Sequence, residues 1–301
     1  MKIILGTAQL GLNYGITNIN GKPSLDTSLD IIKTALQNNI TDFDTARAYG
    51  NSEEIIGIAK EKFTNMNIIT KLDTLPDVNK TTSKDIIIDK INKSIDNSLK
   101  FLKVKIIDTL LLHRFSHYKN KIIWDYLLKL KKQKKIKKLG VSVYYVQEAV
   151  EALKNENIKH IQLPINILDG TWFCKEFLEL VEKRTDVIIH CRSIFLQGIL
   201  ISSKDKWPEL DNINSQDYVN KLDYFTRIFN FKNKIELCLS YVKSIDWING
   251  LLMGVDNVSQ LKENIKLFNI RKLKKNEFDL IRTTFKNVPE NLLNPSMWKN
   301  I

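Results

Sequence analysis

The sequence has few cysteines and no long apolar run. No segment approaches the roughly 18 consecutive apolar residues of a membrane span. Residues 1–6 (MKIILG) lack the long apolar stretch and the small-residue cleavage site of a signal peptide, and we predict a first strand there. Cys174, Cys191 and Cys238 are widely spaced and match no zinc or disulfide framework. We therefore expect free thiols, no membrane partner and a cytoplasmic protein.

Two common nucleotide-binding motifs are also missing. Neither Gly-x-Gly-x-x-Gly nor a phosphate-loop sequence occurs, which weighs against a Rossmann domain. No linker rich in Pro, Gly or Ser and no sustained change in composition divides the chain. Hydrophobic residues make up 43% of the sequence, enough for a large core. We predict one domain over residues 1–301.

The net charge of +12 raises the question of a nucleic-acid partner, best supported by the lysine run at 131–138. That run closes a predicted helix, Trp124 to Lys132, where lysines favour the negative end of the helix dipole. Lysine is also frequent elsewhere in the chain, and no aromatic interleaving or known nucleic-acid module is present. We predict no nucleic-acid partner.

Short apolar runs alternate with longer segments of helical periodicity along almost the whole chain. The eight runs are Ile3–Leu5, Ile40–Phe43, Ile68–Leu72, Ile106–Leu112, Leu139–Val143, His160–Leu163, Val187–His190 and Leu251–Val255. Amphipathic segments such as Leu25–Leu36, Asp85–Leu102 and Val146–Leu153 separate them. Eight such units in 301 residues predict an α/β fold, the (β/α)8 TIM barrel, rather than an open doubly wound sheet.

One stretch departs from this alternation. Residues Gln197 to Lys232 lie between the seventh strand and a predicted helix near Lys234–Ile245. Long inserts of this kind are usually functional or flexible. We predict a loop or helical insert over residues 197–232, within the barrel and after strand seven, and a later helix over Glu277–Phe285.

Polar side chains stand where three predicted strands end. Asp44 follows the second strand, Lys71 lies at the end of the third and His113 follows the fourth, while Tyr49 lies on the loop after the second. The C-terminal ends of barrel strands converge on one mouth, where barrel enzymes keep their active sites. We therefore expect these four side chains to meet there.

The four residue types have a joint chemical use. A tyrosine with a pKa near 10 is a poor acid at neutral pH, but a nearby ammonium lowers that pKa and a carboxylate can hold the ammonium in place. An imidazole can orient a carbonyl and stabilise charge on its oxygen while a cofactor moves the hydride. Each residue alone could be a cap, a solvated charge or a structural histidine. All four in this order favour a catalytic site.

Several short motifs follow one another along the chain, from the second strand to the last. They are residues 44–50 (DTARAYG) with Ser52-Glu53, Thr70-Lys71, residues 110–114 (LLLHR), Gly140-Val141-Ser142, Gln162-Leu163-Pro164, and Gly254-Val255 with residues 260–264 (QLKEN). With these motifs in this order, the chain resembles the aldo-keto reductases over nearly the whole barrel. The resemblance implies a nicotinamide-dependent oxidoreductase with Tyr49 as proton donor, Lys71 and Asp44 as its tuning pair and His113 as the orienting group.

The resemblance also implies an NADP or NAD site. It assigns Gly6 and Thr7 to the nicotinamide side, Ser142 and Gln162 to the carboxamide, Ser193, Leu196 and Gln197 to the pyrophosphate, and Gln260, Glu263 and Asn264 to the adenosine end, with Gly254 and Val255 in the turn beside it. His117 lies four residues after His113, but the first of the two ends a strand, so we predict no metal pair.

Three departures from the family pattern fall in this cofactor site. Gly254-Val255 and Gln260 stand where many members carry the Lys-Ser and Arg that meet the 2′-phosphate of NADP, and Asp256 would repel that phosphate. Arg192 stands where an aromatic ring commonly stacks on the nicotinamide, and Val143 where Asn often follows the serine. The preference between NADP and NAD is therefore left open.

The segment Arg192–Gly198 resembles a branch of the family whose members often act in sugar or nucleotide-sugar metabolism. A carbohydrate carbonyl is thus one expected small-molecule substrate. The alternative is a non-catalytic, cofactor-binding regulatory or interaction protein on the same barrel, as channel-associated members of the family are. Loss of one of the four site residues would favour that alternative, and all four are present.

Overall fold

The computed structural model describes residues 1–14, 21–79, 81–211 and 213–298. Eight parallel strands close into a barrel in chain order, with the first strand pairing with the last. The strands are β1 (Lys2–Gly6), β2 (Asp42–Asp44), β3 (Asn67–Lys71), β4 (Ile107–Leu112), β5 (Ile136–Ser142), β6 (Ile158–Pro164), β7 (Ile188–Arg192) and β8 (Gly250–Gly254). The predicted (β/α)8 TIM barrel is confirmed.

Helices connect and surround the strands. The α-helices are α1 (Ala8–Gly11), α2 (Leu25–Gln37), α3 (Ser52–Lys62), α4 (Lys84–Phe101), α5 (Phe115–Lys119), α6 (Lys121–Lys132), α7 (Val146–Leu153), α8 (Lys175–Lys183), α9 (Ser215–Ile228), α10 (Lys234–Lys243), α11 (Val258–Leu267), α12 (Lys275–Thr284) and α13 (Glu290–Leu293). Short 3-10 helices cover Thr171–Phe173, Leu196–Ile201, Lys204–Lys206 and Pro295–Met297. Side-chain caps fix several starts: Ser24 accepts a hydrogen bond from the Thr27 backbone N–H at the start of α2.

The strand ends differ from the predicted runs by at most three residues. Ile40 lies outside β2, because its backbone N–H donates to the Ala35 carbonyl and closes the end of α2. β5 begins at Ile136 instead of Leu139, since Ile136 already pairs with Ile107 of β4. The last lysines of the basic run therefore belong to a strand, and Lys137 forms an ion pair with Asp108 at 2.6 Å.

The barrel has apolar side chains on both faces of its sheet. Outside, the strands pack against the surrounding helices in one extended core. Inside, Ile4, Ile69 and Leu111 form a separate apolar cluster with Leu252. On β1, β3 and β4 these residues lie two positions before Gly6, Lys71 and His113, so this cluster lies directly beneath the mouth of the barrel.

The segment 197–232 contains short 3-10 turns and α9. Tyr218 and Phe225 of α9 pack against Phe285 in the C-terminal part of the chain. Cys174, Cys191 and Cys238 are free thiols, as predicted. Across the ranges that the structure describes, no helix combines the length and apolar character needed to cross a membrane.

Candidate active site

The ends of three neighbouring strands bring the predicted residues together. Asp44 is the last residue of β2, Lys71 is the last of β3, and His113 directly follows β4. Tyr49 lies between β2 and α3. All four line one cavity at the C-terminal mouth of the barrel.

Lys71 and Asp44 form a buried ion pair at the floor of this cavity. The Lys71 Nζ lies 2.5 Å from Asp44 Oδ1 and also donates to the Thr45 carbonyl oxygen at 2.9 Å. Gln162 Nε2 donates to the second Asp44 oxygen at 2.7 Å. Burial lowers the pKa of Lys71, but the charge of Asp44 and the interaction with the Tyr49 hydroxyl outweigh it, and the net pKa is raised. The ammonium therefore stays charged at neutral pH.

The Tyr49 ring lies between Lys71 and His113. Its centre is 4.9 Å from the Lys71 Nζ and 5.9 Å from the centre of the His113 ring, which meets it edge to face. Burial raises the pKa of Tyr49 more than Lys71 lowers it. Lys71 does lower the pKa of Tyr49, as expected from the sequence. The expectation of a lowered net pKa is wrong, because desolvation of the phenolate is the larger effect and the net pKa is raised. Tyr49 is thus protonated at neutral pH.

His113 is a neutral imidazole in this environment. Burial lowers its pKa from 6.5 to about 3, and the positive charges of Lys71 and Arg192 act in the same direction. Its Nδ1 is buried and has no hydrogen-bond partner among the described residues. A neutral imidazole next to a tyrosine hydroxyl can hydrogen-bond to a substrate oxygen without taking its proton.

The cavity has a volume of about 460 Å³, within the range of small-molecule sites. Nine of the predicted cofactor residues line it: Gly6, Thr7, Ser142, Gln162, Arg192, Ser193, Gln197, Gly254 and Asn264. Sequence reasoning missed Gln9, Tyr14, Tyr144 and Phe195, which also line it. Gln9, Tyr144 and Phe195 lie two or three residues after a strand end, and that position was the available signal; Tyr14 lies farther along the chain after β1 and had no such signal.

Four predicted cofactor residues do not line the cavity. Leu196 and Val255 are buried in the apolar core, where side chains of their type pack best. The Gln260 Oε1 accepts a hydrogen bond from the Asp256 backbone N–H at 2.8 Å, so it closes the turn before α11. Glu263 is exposed. These four assignments therefore find no support in the geometry of the cavity.

The residues of the cavity fit a nicotinamide dinucleotide. In the loop after β7, Ser193 (φ 61°) and Gln197 (φ 58°) take left-handed backbone conformations, a strain that clusters at ligand sites. Such turns direct backbone N–H groups toward anions such as phosphates. A Cβ at Gly254 would lie 2.3 Å from the Gln9 amide, so glycine leaves room beside Gln9. Ser142 and Gln162 supply buried polar groups at the floor.

No group of three or more His, Cys, Asp and Glu side chains suited to a metal ion occurs in the described part of the chain. His117 lies on α5 and is buried. Burial lowers its pKa, and the charge of Arg114 does so as well. His113 lines the cavity and His117 does not, so the two histidines do not share one site.

Comparison with known proteins gives a consistent result. The sequence model of the Aldo/keto reductase family matches residues 2–285. A search of curated proteins gave no match. The holo form of an aldo-keto reductase from Bacillus halodurans is 20% identical, with 97% of this chain and 95% of that chain covered and a TM-score of 0.71. A protein from Pseudomonas aeruginosa assigned to the aldo-keto reductases is 19% identical, with 88% of each chain covered and a TM-score of 0.63.

Proposed function

Because this chain belongs to the aldo/keto reductase family, we propose that it interconverts a carbonyl and an alcohol with Tyr49 as its general acid and base. The family membership makes the chain an NAD(P)H-dependent oxidoreductase that takes NADP or NAD. One observation carries the proposal. A protonated Tyr49, a charged Lys71 and a neutral His113 surround one cavity that can also hold the cofactor.

The bound cofactor supplies the hydride in the reduction, and the side chains of this site handle the proton. His113 donates a hydrogen bond to the substrate oxygen and orients the carbonyl. The Tyr49 hydroxyl gives its proton to that oxygen as negative charge develops there. Lys71 stabilises the Tyr49 phenolate that remains, while Asp44, which accepts a hydrogen bond from Gln162, holds the ammonium in position. In the reverse direction the phenolate accepts the alcohol proton.

A sugar or sugar derivative is the narrower proposal for the substrate. It rests on the segment Arg192–Gly198, which lines the cavity in part. The cavity combines aromatic rings, those of Tyr14, Tyr144 and Phe195, with amide side chains that can bind hydroxyl groups. The cytoplasm stays the proposed location, consistent with three free cysteines.

Replacement of Tyr49 by phenylalanine tests the proposed mechanism. Turnover of aldehydes and reducing sugars is first followed by the absorbance of NADH and NADPH with the unmodified protein. Tyr49→Phe should lower kcat by about 10²–10⁴-fold and leave the cofactor Kd nearly unchanged, because only the proton donor is lost. Tyr144→Phe is the matched control, since Tyr144 lines the same cavity and holds no proposed acid–base role. Near-normal kcat in Tyr49→Phe would exclude this mechanism.

The regulatory alternative makes a different prediction. A protein that binds NADH or NADPH but turns over no member of a broad carbonyl and alcohol panel would behave as a cofactor-binding module. No feature of the site favours a non-catalytic role, because all four predicted catalytic side chains are present and close together.

A further inference from the structure

Arg192, the last residue of β7, brings a positive charge to the cavity that no acidic side chain of the described residues pairs with. Its Nη2 donates to the Val143 carbonyl oxygen at 3.1 Å, and its guanidinium carbon lies 4.5 Å from the centre of the Tyr144 ring. Within the described ranges, Arg192 takes part in no ion pair. These contacts hold the guanidinium in place and leave its charge uncompensated.

The other ionised side chains of the cavity lining cancel each other. Lys71 and Asp44 are paired at 2.5 Å, and His113 is neutral at physiological pH. Arg192 is the remaining formal charge among the lining residues. Part of the lining is buried, and a charge acts more strongly there than in bulk water. The cavity therefore carries a net positive charge at its Arg192 side.

A nicotinamide ring bound for reaction would share the cavity with this charge. If Tyr49 and His113 hold the carbonyl oxygen, the hydride-carrying ring atom must lie roughly 3–3.5 Å from the carbonyl carbon. Arg192 lines the same cavity and its charge acts on the pKa of both Tyr49 and His113. The nicotinamide ring is neutral in the reduced cofactor and positively charged in the oxidised one. A positive charge in the same cavity would therefore disfavour the oxidised ring.

We propose that Arg192 makes this enzyme bind the reduced nicotinamide cofactor more tightly than the oxidised one. The inference rests on the proposed function. In the reduction, a hydride passes from the ring to the carbonyl carbon and Tyr49 gives its proton to the oxygen. The ring thereby gains a positive charge beside Arg192. Repulsion between the two charges then favours release of the oxidised cofactor and capture of a reduced one.

Equilibrium titrations with NADH and NAD⁺, and with NADPH and NADP⁺, test this proposal at one pH and one ionic strength. The quantity of interest is the ratio of the oxidised to the reduced Kd, because contributions of the phosphates are the same in both forms and cancel. Arg192→Gln removes the charge and should lower this ratio by tenfold or more, equivalent to about 1.4 kcal/mol. Arg192→Lys keeps the charge and should retain most of the ratio.

Two controls make the result specific to the ring. Arg114→Gln removes an exposed cation near His113 that does not line the cavity, and should change the ratio less than twofold. ADP-ribose carries the phosphates without the ring, and its Kd should be similar in wild type and Arg192→Gln. Equal weakening of NADH, NAD⁺ and ADP-ribose in Arg192→Gln would instead make Arg192 a phosphate ligand and overturn the proposal.

Two further outcomes separate this proposal from the proposed function. An unchanged ratio in Arg192→Gln, in a protein whose wild type binds both forms, would overturn this proposal alone. Wild-type protein that binds neither form would overturn the proposed function and this inference with it. Circular dichroism shows whether Arg192→Gln and Arg192→Lys are folded. If Arg192→Gln is not, Arg192→Met removes the same charge and should lower the ratio to the same extent.

Discussion

The Lys71 ammonium and the Asp44 carboxylate are paired at 2.5 Å, and each residue is only 1% exposed to solvent. An ion pair this deeply buried gains little over an apolar pair of the same shape, because both charges lose their hydration. Its retention at the cavity floor is therefore better explained by the positioning of Lys71 beside Tyr49 than by stability. The pair is also vulnerable, since either charge alone would be buried without a partner.

Removal of one charge of this pair should destabilise the protein strongly. Asp44→Asn leaves the Lys71 ammonium without its counter-ion, and such a change typically costs about 3–5 kcal/mol in the free energy of unfolding. The double variant Asp44→Asn/Lys71→Met removes both charges and should recover much of this loss, although both proteins lose activity. Urea unfolding of the wild type and both variants measures the difference. A loss below about 1 kcal/mol in Asp44→Asn would contradict this reading.

The reduction should depend little on pH across the neutral range. In the proposed mechanism Tyr49 acts while protonated, and its pKa is raised, so the acid is lost only above its ordinary value of 10.0. His113 acts as a neutral imidazole with a pKa of about 3, so it does not titrate near neutrality. We expect kcat of the reduction to be flat between about pH 5 and pH 9 in the presence of saturating substrate. A step in kcat near pH 6.5 would show that His113 titrates during catalysis.

A second prediction about pH concerns His160 and His190, inside the barrel. Their rings meet edge to face with centres 4.3 Å apart, and their ring nitrogens have no hydrogen-bond partner within the described part of the chain. Burial lowers the pKa of His190 to about 4 and that of His160 well below its ordinary 6.5. The unfolded chain therefore takes up protons below pH 6.5, while the folded chain does not until a lower pH.

Stability should consequently fall as the pH drops from 6.5 toward 4. For His190 alone the difference between 6.5 and about 4 corresponds to roughly 3 kcal/mol, present in full above pH 6.5. His190→Gln cannot titrate there, so its urea midpoint should change less with pH than that of the wild type. The comparison needs midpoints at several pH values between about 7.5 and 4.5. Parallel curves for wild type and His190→Gln would show that this histidine does not contribute.

The barrel and its four catalytic candidates could be predicted because both depend on local patterns. Buried parallel strands are nearly all apolar, and the first polar residue after such a run marks the mouth of a barrel. Which residue of an adjacent pair faces the cavity could not be predicted. Gly254 lines it and Val255 packs in the core, because strand register decides this and the apolar run does not.

Two other features depend on burial, which the sequence does not display. The net pKa of Tyr49 follows from desolvation that outweighs the nearby Lys71. His160 and His190 lie within apolar runs, and the sequence predicts only that they belong to strands. In the structure their rings are buried and in contact with each other. Both the net pKa of Tyr49 and the contact between the two histidine rings depend on tertiary packing, which the local sequence pattern does not determine.

The last prediction concerns the choice between NADP and NAD. The residues expected to decide it are those that depart furthest from the family pattern. Asp256 lies in the turn before α11, where the adenosine end of the cofactor is expected. Its Oδ1 is buried without a hydrogen-bond partner in the described ranges, and its side chain forms no ion pair there. Gln260 stands in place of a cation and closes the same turn through Asp256. No positive charge in this turn therefore offsets the carboxylate.

We expect NAD(H) to bind within roughly tenfold of NADP(H), a difference of about 1.4 kcal/mol. Asp256→Asn removes the charge that we expect to repel the 2′-phosphate and should strengthen NADPH binding relative to NADH, and Gln260→Arg should do so further. Asp246→Asn is the matched control, because Asp246 is already paired with Lys272 at 2.7 Å. Titrations of NADH and NADPH at one ionic strength give the ratio, since phosphate contacts are screened by salt. A wild-type preference for NADPH of a hundredfold or more would mean that another cation, such as Lys262, binds the phosphate.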